Sequence, residues 1–237
     1  YESLDYEAVA ITDHDYVSYP WNEFGLENSG LISIAGNELS KDAHILSCFC
    51  TYFDQKGAGT SVTNGMIKNI ENVEEIGGFL YIAHPNRSGG ATQDPDYDLE
   101  LLKYPQVREI EVLNAGQFTN NHSEDLWDTL LTQTMPNRPI WGTASDDSHS
   151  DGTSTIGTGW TYLLLPEKTE AATKEAMING QTYFSSWRVV KGQDDNKENP
   201  NVPAPTIENI TVDNNKGTIT ITAKDASKIE WISENGN

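Results

Sequence analysis

Ala8-Val9-Ala10-Ile11-Thr12-Asp13-His14-Asp15 is an apolar, partly β-branched run that stops abruptly on ionisable side chains. Such a stretch reads as a strand whose far end carries metal-binding or acid–base groups. The pattern recurs. Leu31-Ile32-Ser33-Ile34-Ala35-Gly36 runs into Asn37-Glu38, and Phe79-Leu80-Tyr81-Ile82-Ala83 runs into His84-Pro85. Pro139-Ile140-Trp141-Gly142-Thr143-Ala144 runs into Ser145-Asp146-Asp147-Ser148-His149. Strands that all point one way in a barrel or sheet bring such ends together.

Helical patterns lie between these runs. Val62, Met66, Ile70 and Val73 recur at helical spacing after Thr60, with Gly77-Gly78 as a stop. A short helix is expected over 99–103, and a second amphipathic one carries Leu126, Trp127, Leu130 and Leu131 and ends near Pro136. Thr169 caps a helix that runs to Asn179-Gly180. Further strands are expected from His44 through Cys50, over 107–113 and over 160–165. This alternation indicates an α/β fold with mostly parallel strands, and chemistry drawn from at least four strand ends favours a barrel. The composition turns polar and Pro-punctuated after residue 190, so the chain divides into a barrel over 1–190, a linker over 191–205 and a β-rich segment over 206–237. Three strand-like pieces there, around Ile207–Val212, Ile219–Ala223 and Ile229–Trp231, are too few to close a sandwich.

The 237 residues carry 15 Lys and Arg against 36 Asp and Glu, a net charge of -21. That field repels polyanions, which argues against nucleic acid as the main partner. No apolar run approaches the ~18 residues of a membrane span. The opening Tyr1-Glu2-Ser3-Leu4-Asp5 lacks the basic start of a signal peptide. Cys48 and Cys50 follow one another too closely for ordinary disulfide geometry and read as small buried thiols. The tryptophans read as core and loop packing.

Of five histidines, His14, His44, His84 and His149 stand at predicted strand ends, beside Glu38 and Asp147. One such histidine is ordinarily a satisfied polar group; four of five point to a shared site. Imidazoles with carboxylates are the usual ligands of zinc, manganese or iron. A carboxylate can bridge two cations, and a bridged pair polarises an ester oxygen and lowers the pKa of water.

Thr-Asp-His-Asp at 12–15, Gly-Asn-Glu-Leu-Ser at 36–40 with His44 after it, Ala-His-Pro at 83–85 and Ser-Asp-Asp-Ser-His at 145–149 together resemble the polymerase and histidinol phosphatase (PHP) family of metal-dependent phosphoesterases. Order and separation match across about residues 5–187. The resemblance implies a distorted TIM-like (β/α)7 barrel with up to three divalent metals at the strand C-termini. Glu38 would bridge two of them, His44 and His84 would complete the second, and Asp147 would ligate the first. His14 and His149 would hold the third. The family's His-x-His on its first strand has no counterpart here, so the expected barrel lacks that strand and two of the three metal sites lack ligands.

Arg87 could clamp a phosphate or carboxylate. Asn114 closes a Glu-x-x-Asn at 111–114 that resembles a recurrent family feature and would orient substrate or cap a turn. His122 reads as a surface or capping residue. Asp13 or Asp15 is expected to accept a hydrogen bond from His14. The expected activity is hydrolysis of a small-molecule phosphate ester, with Glu38, Asp147 and Arg87 as the catalytic set. Two alternatives share the site: a carboxyl-ester or carbamate hydrolase, and a catalytically incomplete metal- or ligand-binding module. The acidic, Lys-poor composition and trailing β segment favour an exported bacterial protein, periplasmic or extracellular, over a cytoplasmic one.

Overall fold

The computed structural model describes residues 1–25, 29–40, 44–52, 64–85, 103–114, 123–149, 155–186 and 203–232. The chain divides into two units, Tyr1–Phe184 and Ser185–Asn237.

In the first unit six strands form one sheet in sequence order: β1 (Ala8–Ile11), β2 (Ile32–Leu39), β3 (Ile45–Cys48), β4 (Phe79–Ile82), β5 (Val107–Asn114) and β6 (Trp141–Ser145). The sheet curls into a half-barrel, giving a mixed α/β fold. β1 pairs with β2 in parallel, as do β4 with β5 and β5 with β6. β3 departs from the expected direction: it is antiparallel to both neighbours. The reason is length, because residues 40–44 are far too few for a parallel crossover, which needs about a dozen.

Among the described residues there are three α-helices: α1 (Asn64–Glu75), α2 (Glu124–Thr134) and α3 (Glu170–Asn179). The helix expected over 99–103 lies, but for Lys103, outside the described residues, as do 191–202 of the expected linker. Strand alternation sorts side chains onto two faces. Leu80 and Ile82 of β4 join Ile45, Val107, Ile110, Val112 and Ile140 in the larger core. The helical spacing of Ile70 and Val73 on α1, and of Leu126 and Leu130 on α2, buries them in that same core. On the other face Ile34, Cys48 and Phe79 pack with Tyr81 and with Met177 and Ile178 of α3. The ends of α3 follow the sequence reading. Thr169 Oγ1 accepts the Ala172 N–H at 3.2 Å, and Gly180 turns the chain at φ 65°, where a Cβ would meet the Trp141 ring at 2.3 Å.

The run expected at 160–165 forms β7 (Gly159–Leu163) but stands outside the six-stranded sheet, in a separate two-stranded sheet with β8 (Thr182–Ser186). Its bond to β6 is made by a side chain. Thr161 Oγ1 accepts the Ala144 N–H and donates to the Ala144 carbonyl, both at 3.1 Å. In the second unit β9 (Thr206–Asp213) and β10 (Thr218–Lys224) form an antiparallel hairpin. Asp213 Oδ1 fixes its turn by accepting the N–H groups of Asn215 at 3.0 Å and Lys216 at 3.1 Å. The third strand expected near Ile229–Trp231 does not form: residues 225–232 carry none, and Asp225 at φ 58° turns the chain out of the ladder.

One buried group sets a pH dependence. Glu109 on β5 is fully buried, and neither carboxyl oxygen has a hydrogen-bond partner. Burial pushes its pKa from 4.5 up to about 8. The folded state therefore holds a proton that the unfolded chain releases between those values. Stability is full below about pH 4.5 and is lost as pH rises towards 8. We expect the native protein to lose of order 3 kcal/mol between pH 5 and pH 8 from this group, and Glu109→Gln to flatten that slope in thermal melts. Equal slopes in the two proteins would show Glu109 ionising as freely as in the unfolded chain.

Candidate metal centre

β1, β2, β4, β5 and β6 run in one direction, so their C-terminal ends share a rim, and reversed β3 begins on it. Backbone bonds tie the segments of His14, Glu38, His44 and His84 to that rim. His14 meets Glu38 across a parallel bridge, the Glu38 N–H donating to the Asp13 carbonyl at 3.1 Å and the Asp15 N–H to the Glu38 carbonyl at 2.8 Å. His44 immediately precedes β3, and its carbonyl accepts the Ala83 N–H at 3.0 Å, one residue before His84. Asp147 and His149 follow β6. Three of these side chains sit on left-handed backbone: His44 at φ 54°, His84 at 27° and Asp147 at 45°. That region is uncommon outside glycine and gathers where the surroundings over-determine a functional geometry.

Glu38, only 5% exposed, is the hub. Its Oε1 contacts His44 Nδ1 and lies 3.2 Å from His84 Nε2, while Oε2 lies 3.4 Å from His14 Nδ1. Burial opposes the charge on Glu38, but hydrogen bonds with His44 and His84 outweigh it and hold the carboxyl well below the usual range. Burial likewise lowers the pKa of His84, and the Glu38 hydrogen bond together with the charges of Glu111, Glu38 and Asp147 more than reverses this. His14 Nε2 faces His149 Nε2 at 3.3 Å, and the His149 Nδ1 lies 3.0 Å from the Asp147 carbonyl. The structure thus brings His14, Glu38, His44, His84, Asp147 and His149 to one rim.

The donors fit a divalent cation. His14, Glu38 and His44 each present a ligand atom within 4.8 Å of the others. Two imidazoles held at ~2.1 Å from one ion with a tetrahedral angle place their nitrogens roughly 3.3–3.4 Å apart, which is the spacing of His14 and His149. His84 Nδ1 is buried without a hydrogen-bond partner. Nitrogen with carboxylate oxygen suits zinc, manganese or iron.

The remaining expectations divide. Asn114, buried at the end of β5, donates from Nδ2 to Glu111 Oε2 at 2.9 Å. Arg87 and His122 lie outside the described residues. Ser40 Oγ meets His14 Nδ1, and Asp15 stands one step behind, its Oδ1 accepting the Ser40 N–H at 3.0 Å. Two carboxylates were not singled out for what they do. Glu111 Oε2 also accepts the His84 N–H at 2.6 Å, and its Oε1 accepts the Ser145 hydroxyl at 2.5 Å, tying the ends of β4, β5 and β6. Asp146 accepts the N–H groups of Gly157, Thr158 and Gly159 at 2.8 to 2.9 Å and the Tyr6 hydroxyl at 3.2 Å. The sequence signal for Asp146 was the second acid beside Asp147, with Gly157-Thr158-Gly159 downstream as a ready set of small-residue amides. The rim opens on a cleft of about 390 Å3, whose lining includes His14, Glu38, His84, Asp147 and His149. Trp160 lines it as well, with its ring edge-on to that of Tyr162.

No family model matches the sequence, and no curated protein matches it. Among solved structures the chain is similar to a two-domain protein containing a predicted PHP-like metal-dependent phosphoesterase from Bacteroides vulgatus ATCC 8482. The TM-score is 0.53 at 14% identity, covering 75% of this chain and 55% of that one, so this chain spans about half its length. PsfC from Pseudomonas syringae PB-5123 aligns with a TM-score of 0.49 at 17% identity, over 81% of this chain and 80% of that one. At such identity the likeness to the first of these is one of fold.

Proposed function

We propose that the chain is a metal-dependent hydrolase of phosphate esters, built on a distorted (β/α)7 barrel of the PHP kind. The observation that carries this reading is the meeting of four imidazoles with the buried Glu38 and with Asp147 on one rim. The fold of the Bacteroides neighbour, a predicted PHP-like metal-dependent phosphoesterase, supports it. Glu38 with His44 and His84 would hold one divalent cation, and Asp147, His14 and His149 would supply ligands to further cations on the same rim. When bound, divalent zinc, manganese or iron supplies Lewis acidity towards the ester oxygen and brings the pKa of water near neutrality. The protein's own part is positional. Glu111 fixes the His84 backbone, Ser145 and Asn114 in one cluster, leaving Asn114 on the cleft wall to orient substrate. Arg87, three residues past His84, would clamp the anionic end of the substrate.

One observation favours the second reading, a carboxyl-ester or carbamate hydrolase. Among the described residues lining the cleft there is no Lys or Arg to meet a phosphate. Aryl phosphate and aryl acetate, offered to the metal-loaded protein, separate the two.

Loading with zinc or manganese should give at least one bound ion per chain and measurable turnover of aryl phosphate. Glu38→Ala and His84→Ala should each lower both metal content and kcat by about 100-fold or more. Unchanged rates in both variants would end the proposal, and metal binding without any turnover would leave only a binding module. Asp146→Asn places an amide N–H2 against backbone N–H donors and should release the loop bearing Asp147 and His149. We expect metal affinity at that end of the rim to fall about 10-fold, read by calorimetry, with a lowered Tm. A lowered Tm with full metal affinity would confine Asp146 to stability.

A further inference from the structure

The wall of the cleft beside Asp147 and His149 is aromatic, and one carboxylate pins it. Asp146 Oδ2 accepts the Tyr6 hydroxyl at 3.2 Å, while its Oδ1 accepts the Gly159 N–H at 2.9 Å. Gly159 precedes Trp160, and its backbone lies so close to β6 that a Cβ there would stand 2.9 Å from the Ser145 carbonyl oxygen. The Tyr1 ring stands edge-on to Tyr6 with centroids 5.0 Å apart. Tyr1, Tyr6 and Trp160 all line the cleft, and Tyr81 and Met177 line it too.

Three consequences follow from that arrangement. The Tyr6 hydroxyl is already engaged by Asp146, so its ring is what remains to meet a ligand. Before any ligand arrives Asp146 fixes the wall at two points, the Tyr6 hydroxyl and the backbone next to Trp160, and the Trp160 ring stands edge-on to Tyr162. The cleft, at about 390 Å3, falls in the range of sites that enclose a small organic molecule. Charge narrows the choice further. Asp13, Glu111 and Asp146 line the cleft in a chain of net charge -21, which disfavours a second anionic group on the ligand.

We infer that the ester taken by this site carries an uncharged planar ring as its organic group, seated against Tyr6 and Trp160 while the ester group lies at the His14–Glu38–His84 rim. The inference rests on the phosphoester reading above and adds the substrate's other half. Ring-on-ring contact adds attraction beyond area burial, and it is specific to the planar group.

The test uses two ligands that cannot be hydrolysed, so that leaving-group chemistry plays no part. Phenylphosphonate and ethylphosphonate are titrated calorimetrically into the zinc-loaded full chain at one pH. Phenylphosphonate should bind about tenfold more tightly, and the gap should shrink to threefold or less in Trp160→Ala and in Tyr6→Leu. Equal affinities in the unsubstituted protein overturn the aromatic subsite and leave the phosphoester reading standing. A gap that persists in both variants also overturns it, because the ring then sits elsewhere. If zinc binds and neither phosphonate does, the phosphoester reading itself falls and takes the subsite with it. The unsubstituted protein alone decides the first comparison, so a variant that fails to fold does not shelter the idea.

Discussion

A single buried carboxylate facing three imidazoles is the constraint on which the rest of the first unit depends. Taking the Glu38 charge out of water is costly, and a charge so buried persists only when its oxygens are met. They are met by His14, His44 and His84, which come from three different places in the chain. The short 40–44 connection, by reversing β3, is what lets that requirement be met. If β3 ran parallel to β2, its start would lie at the far end of the sheet and His44 could not reach Glu38. Reversing β3 puts residue 44 on the rim where β1, β2 and β4 end. The left-handed backbone at His44, His84 and Asp147 belongs to the same account. Each residue leaves or enters a strand and must turn its side chain inward at once.

A second layer of carboxylates holds the first in place. Glu111 accepts one N–H and two side-chain donors from the ends of β4, β5 and β6, and Asp146 accepts three successive backbone amides and a tyrosine hydroxyl. In both cases a charged acceptor satisfies backbone donors that no ladder reaches, since the sheet has ended at this height. These bonds are about twice as strong as neutral ones, so loops rather than strands can carry ligands without losing their geometry.

The strand-end chemistry was legible in the sequence because it rests on local pattern. An apolar run stopping on His14, Glu38, His84 or Asp147 is visible in a window of ten residues. The ends of α3 were legible for the same reason, through the Thr169 cap and the Gly180 stop. What failed was non-local. The direction of β3 was recoverable from the shortness of 40–44, yet periodicity alone is blind to strand direction. β7 carries a good strand pattern but bonds β6 through the Thr161 hydroxyl, and nothing in the pattern of Trp160–Leu163 distinguishes that from a ladder. The missing third strand near Ile229 was an apolar alternation without a partner to pair it. Asp146 escaped notice because its donors lie more than ten residues on, in amides that carry no sequence identity.

The inner face of β5 shows how the site presses on the core beneath it. Strand alternation sends Ile110 and Val112 outward to the helices and turns Glu109 and Glu111 inward, one residue pair apart. Glu111 stands at rim height and finds three donors; Glu109, one step deeper, finds none. The two carboxyls therefore have the same burial and the same strand face but opposite satisfaction, and the difference is depth alone. At the rim, strand ends supply N–H groups that the ladder does not use, whereas Glu109 lies where β5 is paired on both sides. Burial accordingly keeps Glu109 protonated near neutrality. An apolar residue at that position would pack with less penalty. Tyr81 and Cys48, whose protons are also held on by burial first and by their neighbours' charges second, extend the layer of protonated groups from Glu109 across β4 and β3. The rim above thus rests on a floor of neutral, proton-bearing groups, with the carboxylate of Glu38 held charged by its imidazoles above it.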